Sequence, residues 1–223
     1  MFRVKICGVT TADDARLAAD AGADAIGINF YPDSPRYCTI ERAREIAAAV
    51  PPHVCKVGVF VNAPTGDVRR AFAEVPLDAV QFCGGEPPEF LREVRPAPIV
   101  RAARIGTNVD DVVAYLEGCH RQQAMPRMLL CDAKRDGHYG GTGTTLDWEM
   151  LAANRTKLRG LPLVLAGGLT PDNVHDAVGI VRPWAVDVAS GVESAPGVKS
   201  PKLVKRFVTL TREALARASH RHP

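Results

Sequence analysis

Leu163-Val164-Leu165-Ala166-Gly167-Gly168-Leu169-Thr170-Pro171 is the stretch on which the fold turns. A short, continuous apolar run breaks at two glycines and is followed by a hydroxyl residue and a proline. A run without polar alternation reads as a strand covered on both faces, as in a parallel sheet. Thr170-Pro171 places a capping hydroxyl before a proline at the first helical position. The unit is therefore strand, tight turn, helix.

Working outward, the same kind of run recurs at Val4–Cys7, Ala25–Phe30, Val54–Phe60, Ala79–Phe82, Pro98–Ala102, Met128–Cys131 and Ala185–Ala189. Helical periodicity fills the intervals. Ala15, Ala18, Ala19 and Gly22 share one face, as do Ile40, Ala43, Ala47 and Val50. Thr11, with Asp14 three residues on, has the form of a capping box with Asp for Glu. Most strand-to-strand spacings are roughly 20 to 30 residues, the size of a βαβ unit. Eight such units predict an α/β protein, a single (β/α)8 TIM barrel over residues 1–218 with a short tail at 219–223. The competing architecture, a doubly wound open sheet, wants a glycine-rich turn after the first strand. Cys7-Gly8-Val9-Thr10 has one glycine.

Composition narrows the function. The chain has 223 residues, 46% hydrophobic and 24% charged, with 28 basic and 25 acidic residues. That apolar content excludes a disordered chain, and the mild charge argues against nucleic-acid binding. No apolar run is long enough for a membrane span. None of the six cysteines forms a C-x-x-C pair, so neither a zinc knuckle nor a redox motif is suggested; they read as reduced thiols of a cytoplasmic protein.

A barrel places its chemistry at the C-terminal ends of its strands. Glycines cluster there: Gly140-Gly141-Thr142-Gly143 after strand six, Gly167-Gly168 after strand seven, and Ser190-Gly191 after strand eight, with Val192-Glu193-Ser194 placed to open a short helix. Single pairs of glycines often make only tight turns. Three clusters at consecutive strand ends predict a phosphate cradle of backbone N–H groups, and so a small phosphorylated substrate. Cys7 shares parity with Lys5 and reads as either a small core residue or a thiolate base at the barrel rim. Asp132 ends a hydrophobic strand and is a candidate acid or base, or a cap or ion pair with Lys134 or Arg135. Cys131, of opposite parity, faces the helices. Arg36 sits on a loop stiffened by Pro32 and Pro35, as a carboxylate fork or a solvated arginine. Asp187 reads as a buried acid near ligand hydroxyls or an amine, or as the partner of Lys5. Gln81 and Cys83 share parity, and if Gln81 points inward both line the site.

These motifs together resemble the phosphoribosylanthranilate isomerase family over nearly the whole chain. The resemblance is carried by Lys5–Gly8 (KICG), Ser34–Arg36 (SPR), Val57–Asn62 (VGVFVN), Gly140–Gly143 (GGTG), Asp147-Trp148, Leu165–Leu169 (LAGGL) and Ser190–Ser194 (SGVES). Pro196, Gly197 and Lys199 complete it. It implies an Amadori rearrangement of N-(5-phosphoribosyl)anthranilate in tryptophan biosynthesis, with Asp132 as general acid, Cys7 as general base and Arg36 on the anthranilate carboxylate. Gln81, Cys83 and Asp187 are expected at the substrate, and Gly141, Thr142, Gly143, Gly167, Gly168, Ser190 and Gly191 at its phosphate. Internal proton transfer implies no metal and no redox cofactor, and the chain is expected as a monomer or homodimer. Alternatives are another barrel isomerase of an aminosugar phosphate, or a non-catalytic sensor of a phosphorylated ligand. Three positions depart from the family pattern: Cys83 where His is usual, Ser200 where Asp is expected, and Asn29 in place of an aliphatic residue.

Overall fold

The computed structural model describes residues 1–95, 97–133 and 147–219. The strands β1 (Val4–Cys7), β2 (Ala25–Asn29), β3 (Cys55–Phe60), β4 (Ala79–Phe82), β5 (Ile99–Ile105), β6 (Met128–Ala133), β7 (Leu163–Leu165) and β8 (Ala185–Val188) close a barrel in sequence order. Each neighbouring pair is parallel. The helices α1 (Ala12–Asp20), α2 (Ile40–Ala48), α3 (Thr65–Glu74), α4 (Pro88–Glu93), α5 (Asp110–Arg121), α6 (Trp148–Asn154), α7 (Val174–Val181) and α8 (Pro201–Ser219) follow the strands in turn. No described helix is long and apolar enough to cross a membrane.

Two apolar shells follow from the strand period. Outward residues such as Ile6, Ile26, Phe82, Leu129, Cys131 and Val186 pack beneath the helices. Inward residues, among them Ala25, Val57, Ala79, Val100, Met128, Leu130 and Val164, fill the barrel together with Phe2. The inner shell is rich in alanine, which leaves room for longer polar side chains above it. At the strand starts, Asp24 accepts from the Arg3 and Val4 N–H groups and Asp78 from that of Lys56. These carboxylates pin the register at the end of the barrel that folding uses for stability.

Thr11 caps α1 as the sequence predicts, accepting from the Asp14 N–H at 3.1 Å. Three local expectations are corrected. First, α7 begins at Val174. Asn173 folds back, accepting from the Thr170 N–H and donating to the Gly168 carbonyl, so Thr170 and Pro171 form a turn ahead of the helix. Second, Val192-Glu193-Ser194 opens no helix. A single 3₁₀ turn covers Ser190–Val192, and Glu193–Ala195 (β9) pairs antiparallel with Val198–Lys199 (β10). Third, β5 runs on to Ile105, beyond the expected end at Ala102.

Candidate active site

An open cavity of about 900 Å³ lies at the C-terminal mouth of the barrel. Cys7, Arg36, Gln81, Cys83, Asp132, Gly167, Gly168, Asp187, Ser190 and Gly191 all line it. The structure thus brings together every expected site residue that it describes. Gly141, Thr142 and Gly143, with Lys134 and Arg135, lie outside the described residues.

The floor is electrostatic. Lys5 is fully buried inside the barrel, and its Nζ donates to Asp187 Oδ1 at 2.8 Å across the β1–β8 register. Asp187 is the partner of Lys5, and it also borders the cavity. Burial opposes the charge on Lys5, but Asp187 and Cys7 outweigh it and hold the ammonium above its ordinary value. One layer higher is Cys7. Burial pushes its thiol up, Lys5 pulls it back and Asp187 adds to the rise. Gly27 lies opposite Cys7 on β2. A Cβ there would stand 2.6 Å from Cys7 Sγ and 3.1 Å from Lys5 Nζ, so only glycine leaves room for thiol and ammonium side by side.

On the β4 side, Gln81 is almost fully buried and its Nε2 donates to Cys83 Sγ at 3.2 Å. Gln81 Oε1 is buried and has no hydrogen-bond partner among the described residues. Burial pushes the Cys83 thiol up to about 12, against the hydrogen bond from Gln81. Cys83 packs on the inner shell, so its thiol faces into the barrel with Gln81. The loop that carries it is held from outside the barrel. Arg101 donates to the Phe82 and Gly84 carbonyls and pairs with Glu86 at 2.7 Å.

Arg36 does not wave in solvent, nor does it present an open hand. Its Nε and Nη2 donate to Glu193 Oε1 and Oε2 at 2.8 and 2.7 Å. Its loop is braced by Asn29, which donates to Ser34 Oγ and accepts from the Tyr31 N–H; Ser34 Oγ in turn accepts from the Arg36 N–H. The unexpected Asn29 thus has a local use. Ser200 caps α8, its Oγ accepting from the Leu203 N–H.

Gly167 and Gly168 have φ of 84° and 64°, the left-handed region that favours glycine. A Cβ at Gly191 would collide with the Leu169 carbonyl, so the loops after β7 and β8 are packed backbone to backbone. Sequence reasoning missed Arg104, which lines the cavity from β5, and Glu193, which stands behind Arg36. An inward parity shared with Ala102 would have found Arg104. Glu193 lies in the SGVES motif, but nothing local to that motif points to its pairing with Arg36.

Known proteins decide the family. The profile for N-(5'phosphoribosyl)anthranilate (PRA) isomerase matches residues 4–210. The chain belongs to the phosphoribosylanthranilate isomerase family. An N-(5'-phosphoribosyl)anthranilate isomerase of Geobacter metallireducens is 45% identical over 210 residues, 93% of this chain and 98% of that protein. The crystal structure of phosphoribosyl anthranilate isomerase from Thermotoga maritima superposes with a TM-score of 0.84 at 38% identity, covering 96% of this chain and all of that one. A further family structure, solved with reduced 1-(o-carboxyphenylamino)-1-deoxyribulose 5-phosphate, has a TM-score of 0.81 at 37% identity over 96% and 100% of the two chains.

Proposed function

We propose that the chain converts N-(5-phosphoribosyl)anthranilate to 1-(2-carboxyphenylamino)-1-deoxyribulose 5-phosphate, as the names of its relatives indicate. The observation that carries the reading is the meeting of Cys7 and Asp132, from β1 and β6, with Arg36 and the glycine turns after β7 and β8 around one cavity. Asp132 protonates the furanose ring oxygen, and the ring opens to a protonated Schiff base. Cys7, as thiolate, removes the proton from C2 of the sugar. The electrons of that bond move toward nitrogen and leave an enolamine, which tautomerises to the ketone. No electron leaves the substrate, so the proton inventory closes within acid, base and product.

The remaining wall supports this chemistry. Arg36 holds the anthranilate carboxylate. Gln81 Oε1, buried and unpartnered among the described residues, accepts from a substrate hydroxyl, and Asp187 stands near the amine. The phosphate sits over the turns at Gly167-Gly168 and Ser190-Gly191, both of which border the cavity. The free thiols fit a reducing compartment, the cytoplasm.

The test is turnover of freshly made phosphoribosylanthranilate, followed by loss of its fluorescence. Cys7→Ser and Asp132→Asn should each fall by about 10²–10⁴-fold with the fold retained. The double variant should lose less than the product of the two, since both groups act on one substrate. Near-normal turnover in either single variant overturns the role given to that residue.

A further inference from the structure

Arg36 spends one whole edge of its guanidinium on Glu193. The contact is side-on: Nε and Nη2 each meet one carboxylate oxygen. In a planar guanidinium this leaves the end-on fork of Nη1 and the second Nη2 hydrogen, and that fork matches a carboxylate bidentately. Arg36 borders the cavity and Glu193 does not. The glutamate therefore stands behind the arginine, away from the substrate.

Glu193 is itself fixed. Its side chain is 4% exposed, and Lys199 Nζ donates to Oε1 at 2.7 Å and to the Ala189 carbonyl at 3.1 Å. Both residues belong to the β9–β10 hairpin. The hairpin is tied down where Thr10 Oγ1 donates to the Gly197 carbonyl at 2.6 Å. Gly197 has φ of 80°, and a Cβ there would press on the Pro35 carbonyl of the Arg36 loop. The cluster holds two positive groups and one negative group, all largely buried. One positive charge is uncompensated, and it faces the cavity on Arg36.

We propose that Glu193 is a positioning residue for substrate recognition: by clamping the inner edge of Arg36 it aims the outer fork at one monoanionic carboxylate of the ligand. Against its burial, Arg36 and then Lys199 hold Glu193 ionised, so that the clamp does not loosen. The hairpin after β8 is then the part of the fold that selects carboxylated substrates, although none of its clamping atoms touches the ligand. This rests on the reading that Arg36 binds the anthranilate carboxylate.

The experiment compares two probes. One is the reduced product analogue, 1-(o-carboxyphenylamino)-1-deoxyribulose 5-phosphate after reduction, and the other is the same compound without the carboxylate. Wild type should prefer the first. In Glu193→Gln the preference should fall about tenfold, the share expected for a weakened charged hydrogen bond, with affinity for the second probe unchanged. Glu193→Gln with Lys199→Met restores the net charge of the cluster and removes the unpaired ammonium, which keeps the test open if the single variant is unstable. It too should show the reduced preference, because aim rather than charge count is lost. An unchanged preference in these variants, or recovery in the double variant, overturns the inference. A stronger preference overturns it as well, because Glu193 would then be competing with the ligand. Arg36→Ala separates the levels: if it keeps the full preference, the carboxylate reading of Arg36 has failed. If only Arg36→Ala loses the preference, the fault lies with Glu193 alone.

Discussion

Gly27→Ala places one methyl group where the thiol and the ammonium meet. The backbone cannot retreat easily, since the Gly27 carbonyl accepts from the Gly8 and Val9 N–H groups at 2.9 and 3.0 Å. The new Cβ would stand 2.6 Å from Cys7 Sγ, 3.1 Å from Cys7 Cα and 3.1 Å from Lys5 Nζ. Apolar atoms rest at about 3.5–4.0 Å, so Sγ must move by about 1 Å. Lys5 has no slack, being held by Asp187 at 2.8 Å. Two consequences follow. Overpacking of this kind costs about 1–3 kcal/mol, and each kcal/mol lowers the melting temperature of a chain this size by about 2–4 °C. Displacing a reacting group by about 1 Å costs about 10²-fold in rate. The assay is thermal melting beside steady-state turnover of phosphoribosylanthranilate. Gly66→Ala is the control, because a Cβ at Gly66 in α3 meets nothing within 4 Å. It should be neutral, or stabilising by up to about 1 kcal/mol. A Gly27→Ala enzyme that melts early yet turns over at the wild-type rate refutes the assignment of Cys7 to the reaction. One that melts normally and also turns over normally refutes the packing argument itself.

The basic form of Cys7 is the active one, so kcat/KM should rise with pH along a limb lying above the ordinary thiol value, because burial raises this thiol. Replacing Lys5 by Met together with Asp187 by Asn should move that limb further alkaline, since the lost attraction of Lys5 outweighs the lost repulsion of Asp187. Peptide-resolved alkylation of Cys7 against pH reads this without activity, and a shift toward neutral pH would contradict it. Cys83→His should fold and bind substrate at least as well, because the introduced imidazole N–H can donate to the unpartnered Gln81 Oε1. A clear melting loss with unchanged KM would show that the β4 wall has no spare room.

The legible parts of this sequence are those set by strand periodicity. Parity paired Cys7 with Lys5 and Cys83 with Gln81 and set Cys131 on the face opposite Asp132, because side chains alternate along a strand; which face is the inner one is supplied by the closed barrel, which buries Lys5 and Gln81 within it. Arg104 escaped for a reason of the same kind. The apolar run reads as Pro98–Ala102, with Arg104 just beyond it, so the expected strand stops short of Arg104. Arg101 in fact leaves the barrel to pair with Glu86, and Arg104 enters the cavity. Glu193 lies in the quoted SGVES motif, but its role was beyond reach of any local pattern, since its decisive partner lies 157 residues away. The start of α7 was misplaced because Asn173, rather than Thr170, closes the turn.

The buried ion pairs also argue for where the protein works. Removing two charges from water costs more than their attraction returns in many cases, and apolar replacements are often as stable. A fold selected for stability alone has little reason to keep them. Lys5–Asp187, Arg36–Glu193 and Arg101–Glu86 are each largely buried. The first two stand in or behind the cavity wall, and the third fixes the loop that carries Cys83. By contrast, the pairs Arg16–Asp13 and Arg44–Glu74 are exposed, on the outer helices. These three pairs, buried on both sides, gather around the mouth of the barrel, whereas Lys56 at the strand-start end pairs with the half-exposed Asp78. The charge around the mouth supplies what the alanine-rich inner shell cannot: fixed dipoles and unbalanced charge at the place where a sugar bearing both a phosphate and a carboxylate must be held while one proton is given and another is taken.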